Sequence, residues 1–373
     1  MARRGNGEGS IHKRQSDGRW CASITLHDGS RKHFLAKTRD EVARKLAAAL
    51  AEKEKGTLVV APRQSVRQFF AAWLAAAKPS LRPRTYDRYE EYVRLHITPD
   101  IGRVSLTGLT PQHLQRLYAK KLEGLSPTTV NHLHATIHKG LSTAVRWGAL
   151  HRNVADFVDP PRPDRHEMAT LNPEQARKLL EATRGNRLEA LYVLAITTGL
   201  RQGELLGLRW RDVDLDAAAL QIRGSMQATK EGLQIAEPKT PGSRRQVMMS
   251  QPPVDALRRH RVAQAAERLR MGAAWEDNDL VFANKVGRPI PAGHLLRRSF
   301  EPLLKKAGLA RIRFHDLRHT SATLLLGQNV HPKIVQEMLG HTRISTTMDL
   351  YSHVTPTMQR EAAAAFDAIL MKP

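Results

Sequence analysis

The 373-residue chain exceeds one ordinary hydrophobic core, so two or three domains are expected, and 41% hydrophobic residues exclude wholesale disorder. Its 59 Lys and Arg against 36 Asp and Glu give a net charge of +23, spread over the whole length rather than held in one tail, which calls for a long polyanion such as DNA or RNA. One cysteine, Cys21, excludes a disulfide framework or a Cys-rich zinc site and points to a reducing compartment, the cytoplasm.

The first residues, Met1 to Gly9, are basic but no apolar run follows, so no secretory signal is expected. Residues 10–36 read as short strands: Arg19 to Leu26 is β-rich, Asp28-Gly29 is a turn dipeptide, and Arg31 to Leu35 returns. Thr38 stands three before Glu41 at capping-box spacing, and an Ala/Leu-rich helix follows to about Lys55, closed by Gly56. Within this segment Arg19, Arg31 and Lys32 are candidates to enter a DNA groove, whereas Trp20 reads as core.

From Ala61-Pro62 the pattern turns helical. Ser65 and Gln68 form a second capping box before Phe69, Phe70, Trp73 and Leu74, and Pro79 stops that helix. Further helices are expected around Thr85 to His96, from Thr110-Pro111 to Leu122, and from Ser126-Pro127 to Trp147, making a four-helix domain. Three prolines at 160, 161 and 163 then disfavour helix and mark a linker at 159–167.

Beyond the linker the chain reads as mixed α+β. The most apolar stretch, Leu188 to Leu200, is too short to cross a membrane and is broken by Thr197, Thr198 and Gly199. Strand-like pieces fall at Leu220–Met226, Leu233–Glu237, Arg245–Met249 and Leu280–Ile290. The resulting division is 1–60, 61–158, linker 159–167, 168–355 and a C-terminal helix or tail at 356–373, in a multidomain, mainly α chain with α+β parts.

Four clusters in the last domain hold the groups that phosphoryl transfer on DNA needs without a metal: Arg201 with Glu204, Lys239, His315 with Arg318 and His319, and His341 followed by Tyr351. Two arginines can each give bidentate hydrogen bonds to phosphate oxygens and offset charge in a pentacoordinate transition state. A phenolic oxygen can attack phosphorus, and a lysine can protonate the leaving 5′ oxygen. His315 and Arg318 are three apart and share one helical face. Lys230 competes for the lysine role, but Pro238-Lys-Thr with Ser243-Arg-Arg behind it favours Lys239.

The ordered set resembles the tyrosine recombinase, or phage integrase, family. The resemblance rests on Thr198-Gly-Leu-Arg-Gln-Gly-Glu-Leu-Leu-Gly-Leu-Arg-Trp, Pro238-Lys-Thr, His315-Asp-Leu-Arg318, Leu339-Gly-His341 and Tyr351-Ser-His, and spans about residues 62 to 355. It implies catalysis by Arg201, Lys239, His315, Arg318, His341 and Tyr351, with Glu204 supporting Arg201; His319, four from His315, reads from its spacing as a packing or supporting histidine. It further implies a 3′-phosphotyrosyl intermediate, a Holliday junction, a tetramer on two DNA sites and no cofactor.

By the same resemblance, residues 61–158 are a core-binding domain and 1–60 an arm-type DNA-binding domain, which favours an integrase that inserts and excises a phage or integrative element. Core and arm-type attachment sites, an excisionase and a host DNA-bending factor are its implied partners. Three other readings compete. His315 and His319 stand at the spacing of a zinc helix, but Asp316 replaces its glutamate. A DNA binder that does not cut would carry an idle catalytic set. A type IB topoisomerase-like enzyme would nick and relax without needing a second recognition domain.

Overall fold

A computed structural model describes residues 9–25, 31–54, 64–163, 168–229, 232–237 and 244–351. The Asp28-Gly29 turn, Gly56, Lys230, Lys239 and the 356–373 segment lie outside them. The chain divides into two compact units, Met1–Arg165 and His166–Pro373.

The first unit contains two separate hydrophobic cores. Strands β1 (Ser10–Lys13), β2 (Trp20–Thr25) and β3 (Arg31–Ala36) form an antiparallel sheet in which Ala22 pairs with Phe34. Alternation along the strands turns Ala22, Ile24 and Ala36 toward Val42 and Leu46 of helix α1 (Arg39–Glu54). The Thr38 hydroxyl accepts the Glu41 N–H at 3.3 Å, as the capping spacing predicts. Arg19 and Arg31 are exposed. Lys32 is half-buried with its ammonium 5.7 Å from the Phe34 ring centre, and Trp20 packs on the small core.

The second core is helical. Ser65 and Gln68 cap helix α2 (Val66–Ala77) reciprocally, at 2.8 and 3.3 Å, and its Phe69, Phe70, Trp73 and Leu74 are buried. Helix α3 (Pro83–Tyr92) starts earlier than expected because Pro83 suits the first helical turn, and it continues through a widened turn, Val93–Ile97, into α4 (Thr98–Ile101). The widening comes just before Pro99, which has no N–H to return to the Leu95 carbonyl. Helices α5 (Pro111–Leu122) and α6 (Pro127–Arg146) complete the layer. Gly140 lets α6 lie close on α2, since a Cβ there would sit 2.5 Å from the Phe70 ring.

In the second unit, α7 (Pro173–Thr183) leads to α8 (Glu189–Thr198), which is apolar on nearly every side and buried at the centre of the largest core. Around it pack α10 (Gln251–Met271) and α13 (Asp316–Gly327). Short helices α9 (Gln202–Leu206), α11 (Ala292–Leu295), α12 (Glu301–Lys306), α14 (Pro332–Leu339) and α15 (Ile344–Tyr351) make up the rest. Strands β4 (Val213–Asp214), β5 (Ala219–Ile222) and β8 (Arg245–Met248) form one antiparallel sheet, and β6 (Ser225–Thr229) pairs with β7 (Gly232–Ala236) as a separate ribbon.

Two strand expectations are corrected. The 220–226 run is not one strand: the chain leaves β5 at Arg223-Gly224 and enters a different sheet at Ser225. The 280–290 run makes only isolated bridges, Arg209 with Leu280 and Ala283 with Pro289. Asn284 Oδ1 accepts the N–H groups of Val286 and Arg288 at 3.0 and 2.9 Å, and Gly287 takes φ +83°, so the run folds into a tight turn. No described helix is long and apolar enough to cross a membrane.

Candidate active site

Buried α8 ends at Gly199, whose φ of +62° reverses the chain and delivers Arg201 to the start of α9. Glu204, one turn into that helix and 5% exposed, fixes Arg201 twice. One carboxylate oxygen accepts the Arg201 main-chain N–H at 3.0 Å and the other accepts its guanidinium at 2.8 Å. The Arg201 side chain is 38% exposed, so it still faces an incoming ligand, while a further N–H reaches the Gly340 carbonyl at 3.0 Å.

Helix α13 supplies the second group of residues. Asp316, its first residue, is 2% exposed and ties the helix start to the preceding chain, accepting the Arg313 main-chain N–H at 2.8 Å and the Arg313 guanidinium at 2.8 Å. His315 stands immediately before the helix, and Arg318, one turn on, is 2% exposed. Arg318 donates to the carbonyls of Gly199 at 2.8 Å and Leu339 at 2.7 Å, tying three segments together. The His319 ring meets that of His315 edge-on at 4.8 Å, and its Nδ1 is buried without a hydrogen-bond partner.

Helix α14 ends at Gly340, φ +68°, and the reversal presents His341. Gln336 brackets the turn, its carbonyl accepting the His341 N–H and its side-chain amide donating to the His341 carbonyl, both at 3.0 Å. His341 Nδ1 lies 2.9 Å from the hydroxyl of Thr347, which is fully buried in α15. That helix ends at Tyr351, whose side chain, like Lys239, lies outside the described residues.

The charges place these groups around one point. His315 is pushed down to about 4, first by burial of part of its ring and then by His319, Arg318 and Arg201, although another part of it meets solvent. His341 is likewise pushed down to about 4, by burial and by Arg318 and Arg201. Burial and Arg201 bring Arg318 down to about 9. Burial alone would raise the Glu204 carboxyl, but the Arg245 and Arg201 guanidiniums outweigh it and hold the pKa low. Three guanidiniums thus surround one carboxylate among the described residues, leaving positive charge for an anion.

The sequence motifs predict Arg201, Glu204, His315, Arg318, His319 and His341 as members of one site, and these six converge. Arg19, Arg31 and Lys32 belong to the other unit. Two contributors are not among the predicted site residues, although Arg245 closes the Ser243-Arg-Arg run behind Lys239. Arg245 donates to Glu204 at 2.9 and 3.2 Å, and Thr347 partners His341. Strand alternation could have found Arg245, because it shares a face with Val247, 1% exposed.

The family model described as "Phage integrase family" matches residues 169–358, and "Phage integrase, N-terminal SAM-like domain" matches 65–122. The chain belongs to the phage integrase family. It is a tyrosine-type site-specific recombinase. A tyrosine recombinase XerC-like protein of Caldanaerobacter subterraneus is 30% identical over 362 residues, covering 91% of this chain and 92% of that one. An integrase of Streptomyces ambofaciens is 28% identical and covers 99% and 98% of the two chains. The Tn1549 transposon integrase, solved in complex with transposon right end DNA, shares the fold with a TM-score of 0.70 at 22% identity, over 83% of this chain and 100% of that one.

Proposed function

We propose that this recombinase is the integrase of a mobile element, inserting and excising it between DNA attachment sites, with Tyr351 as nucleophile. The observation that carries the reading is the convergence of Arg201, Arg318, His315 and His341 at the foot of the helix that ends in Tyr351. The phenol releases its proton to solvent as its oxygen attacks the scissile phosphorus and the bond to O5′ breaks, leaving a 3′-phosphotyrosyl link and a 5′-hydroxyl. Arg201 and Arg318 take the equatorial oxygens, where charge grows in the transition state. His315 and His341, neutral before DNA arrives, hydrogen-bond the phosphate, and Lys239 gives its proton to the departing O5′. The free 5′-hydroxyl of the partner strand then attacks the phosphotyrosine, so bond energy is conserved and no nucleotide is consumed.

Residues 61–158 grip the core site and residues 1–60 the arm-type site, where Arg31 at a sheet edge, with Arg19 and Lys32, is placed to meet a groove. Four protomers on two sites, an excisionase and a bending factor complete the reaction in the cytoplasm, at the nucleoid. The lambda integrase has been solved as a tetramer bound to a Holliday junction, which supports the assembly part of this reading.

The test is a two-plasmid assay with DNA from beside the gene, in the presence of EDTA. Joined plasmids with a branched intermediate are expected. Relaxation without exchange would favour the topoisomerase-like reading, and salt-sensitive binding without either would favour a DNA binder that does not cut.

A further inference from the structure

Arg245 stands outside the six catalytic candidates, yet its side chain is held on every arm of its guanidinium. Its side chain is 7% exposed, and both guanidinium ends meet Glu204, Nη2 on Oε2 at 2.9 Å and Nη1 on Oε1 at 3.2 Å. Its third donor, Nε, reaches the Met338 carbonyl at 2.8 Å. The planar fork is thus used on two different elements, α9 and the end of α14, from a position at the start of β8.

Both partners are one step from the chemistry. Glu204 spends its remaining capacity on the main chain and the guanidinium of Arg201. Met338 lies in the segment whose next carbonyls, Leu339 and Gly340, accept from Arg318 and Arg201, and which then turns into His341. A Cβ on Gly340 would stand 2.9 Å from Arg245 Nη1, so the turn passes directly over the guanidinium. The segment bearing Lys239 joins β7 to β8, and Arg245 is where its return strand is anchored.

We infer that Arg245 is a positioning residue for strand cleavage: it holds Glu204 in the orientation that aims Arg201 at the scissile phosphate, and it fixes the turn that carries His341. Arg245 touches no DNA in this role. Without it Glu204 loses half its donors and settles wholly on Arg201, drawing that guanidinium away from the phosphate. The inference rests on the tyrosine-recombinase reading of the site.

Single-turnover cleavage of a nicked suicide substrate at saturating DNA separates this role from simple destabilisation, because a misfolded fraction lowers the amplitude of the reaction but not the rate constant of the folded remainder. Arg245→Ala is expected to lower the rate constant by about 100-fold at unchanged half-saturating DNA, and Arg245→Lys, which keeps the charge but not the fork, by about 10-fold. In a Glu204→Gln background, Arg245→Ala should cost less than about threefold, since the two residues act as one unit. A wild-type rate constant with reduced amplitude in Arg245→Ala, or fully multiplicative effects in the double variant, would overturn the inference while leaving the tyrosine chemistry intact. Absence of cleavage by the wild-type protein would instead overturn the underlying reading, and this inference with it.

Discussion

His341 Nδ1 lies 2.9 Å from the Thr347 hydroxyl, and Thr347 is fully buried one helical turn before Tyr351. The contact fixes the orientation of the imidazole and leaves Nε2 as the nitrogen free for phosphate. It also links the presentation of His341 to the helix that ends in Tyr351. Thr347→Val removes the hydroxyl at nearly constant shape and should slow cleavage by about 10-fold, with Thr347→Ser restoring most of the loss. Equal rates for the threonine and valine proteins would show that the bond does not orient His341.

His315 and His341 should make DNA binding pH-dependent. Their pKa values are pushed from 6.5 to about 4 by burial and neighbouring cations, so between those values the folded protein holds fewer protons there than the unfolded chain. Their contribution to stability therefore rises with pH from about 4 to 6.5 and is lost on acidification. A phosphate bound between them would oppose the arginines and raise both pKa values. Calorimetric titration with core-site DNA at pH 6, in buffers of different ionisation enthalpy, should show net proton uptake that disappears in a His315→Asn, His341→Asn double variant.

Gly199 is both a left-handed turn and a contact point. Its φ is +62°, its carbonyl accepts from Arg318 at 2.8 Å, and a Cβ would clash with the Leu339 side chain. Gly199→Ala should destabilise the second unit by about 1–3 kcal/mol through strain and overpacking, and should slow cleavage by displacing two carbonyl anchors of Arg318. Thermal melting read together with cleavage rate checks both effects, and an unchanged Tm would contradict this packing.

Removing residues 1–60 should leave cleavage of an isolated core site within about twofold of wild type but abolish integration that needs arm-type sites. Full integration by the shortened protein would remove the recognition role assigned to Arg19, Arg31 and Lys32.

Much of this was legible in the sequence wherever a local rule coincided with the tertiary demand. The capping pair Ser65 and Gln68 and the prolines opening α5 and α6 mark their helices with chain-local signals. Spacing alone puts His315 and Arg318 on one face of α13. The expected strand at 280–290 failed because an apolar run carries no sign of direction, and the Asn284 side chain and Gly287 decide for a turn. Arg245 and Thr347 were hidden for another reason: Arg245 closes the Ser243-Arg-Arg run, but only the fold brings it to Glu204, 41 residues away in the chain, and no local rule ties the Thr347 hydroxyl to His341 six residues before it.

The most direct test of the central claim is a denaturing-gel assay for covalent protein–DNA adduct, in EDTA throughout, comparing wild type with Tyr351→Phe on DNA from beside the gene. A phenol-resistant adduct is predicted for wild type and none for Tyr351→Phe, with both binding DNA equally. An adduct formed by Tyr351→Phe would contradict the assignment of the nucleophile.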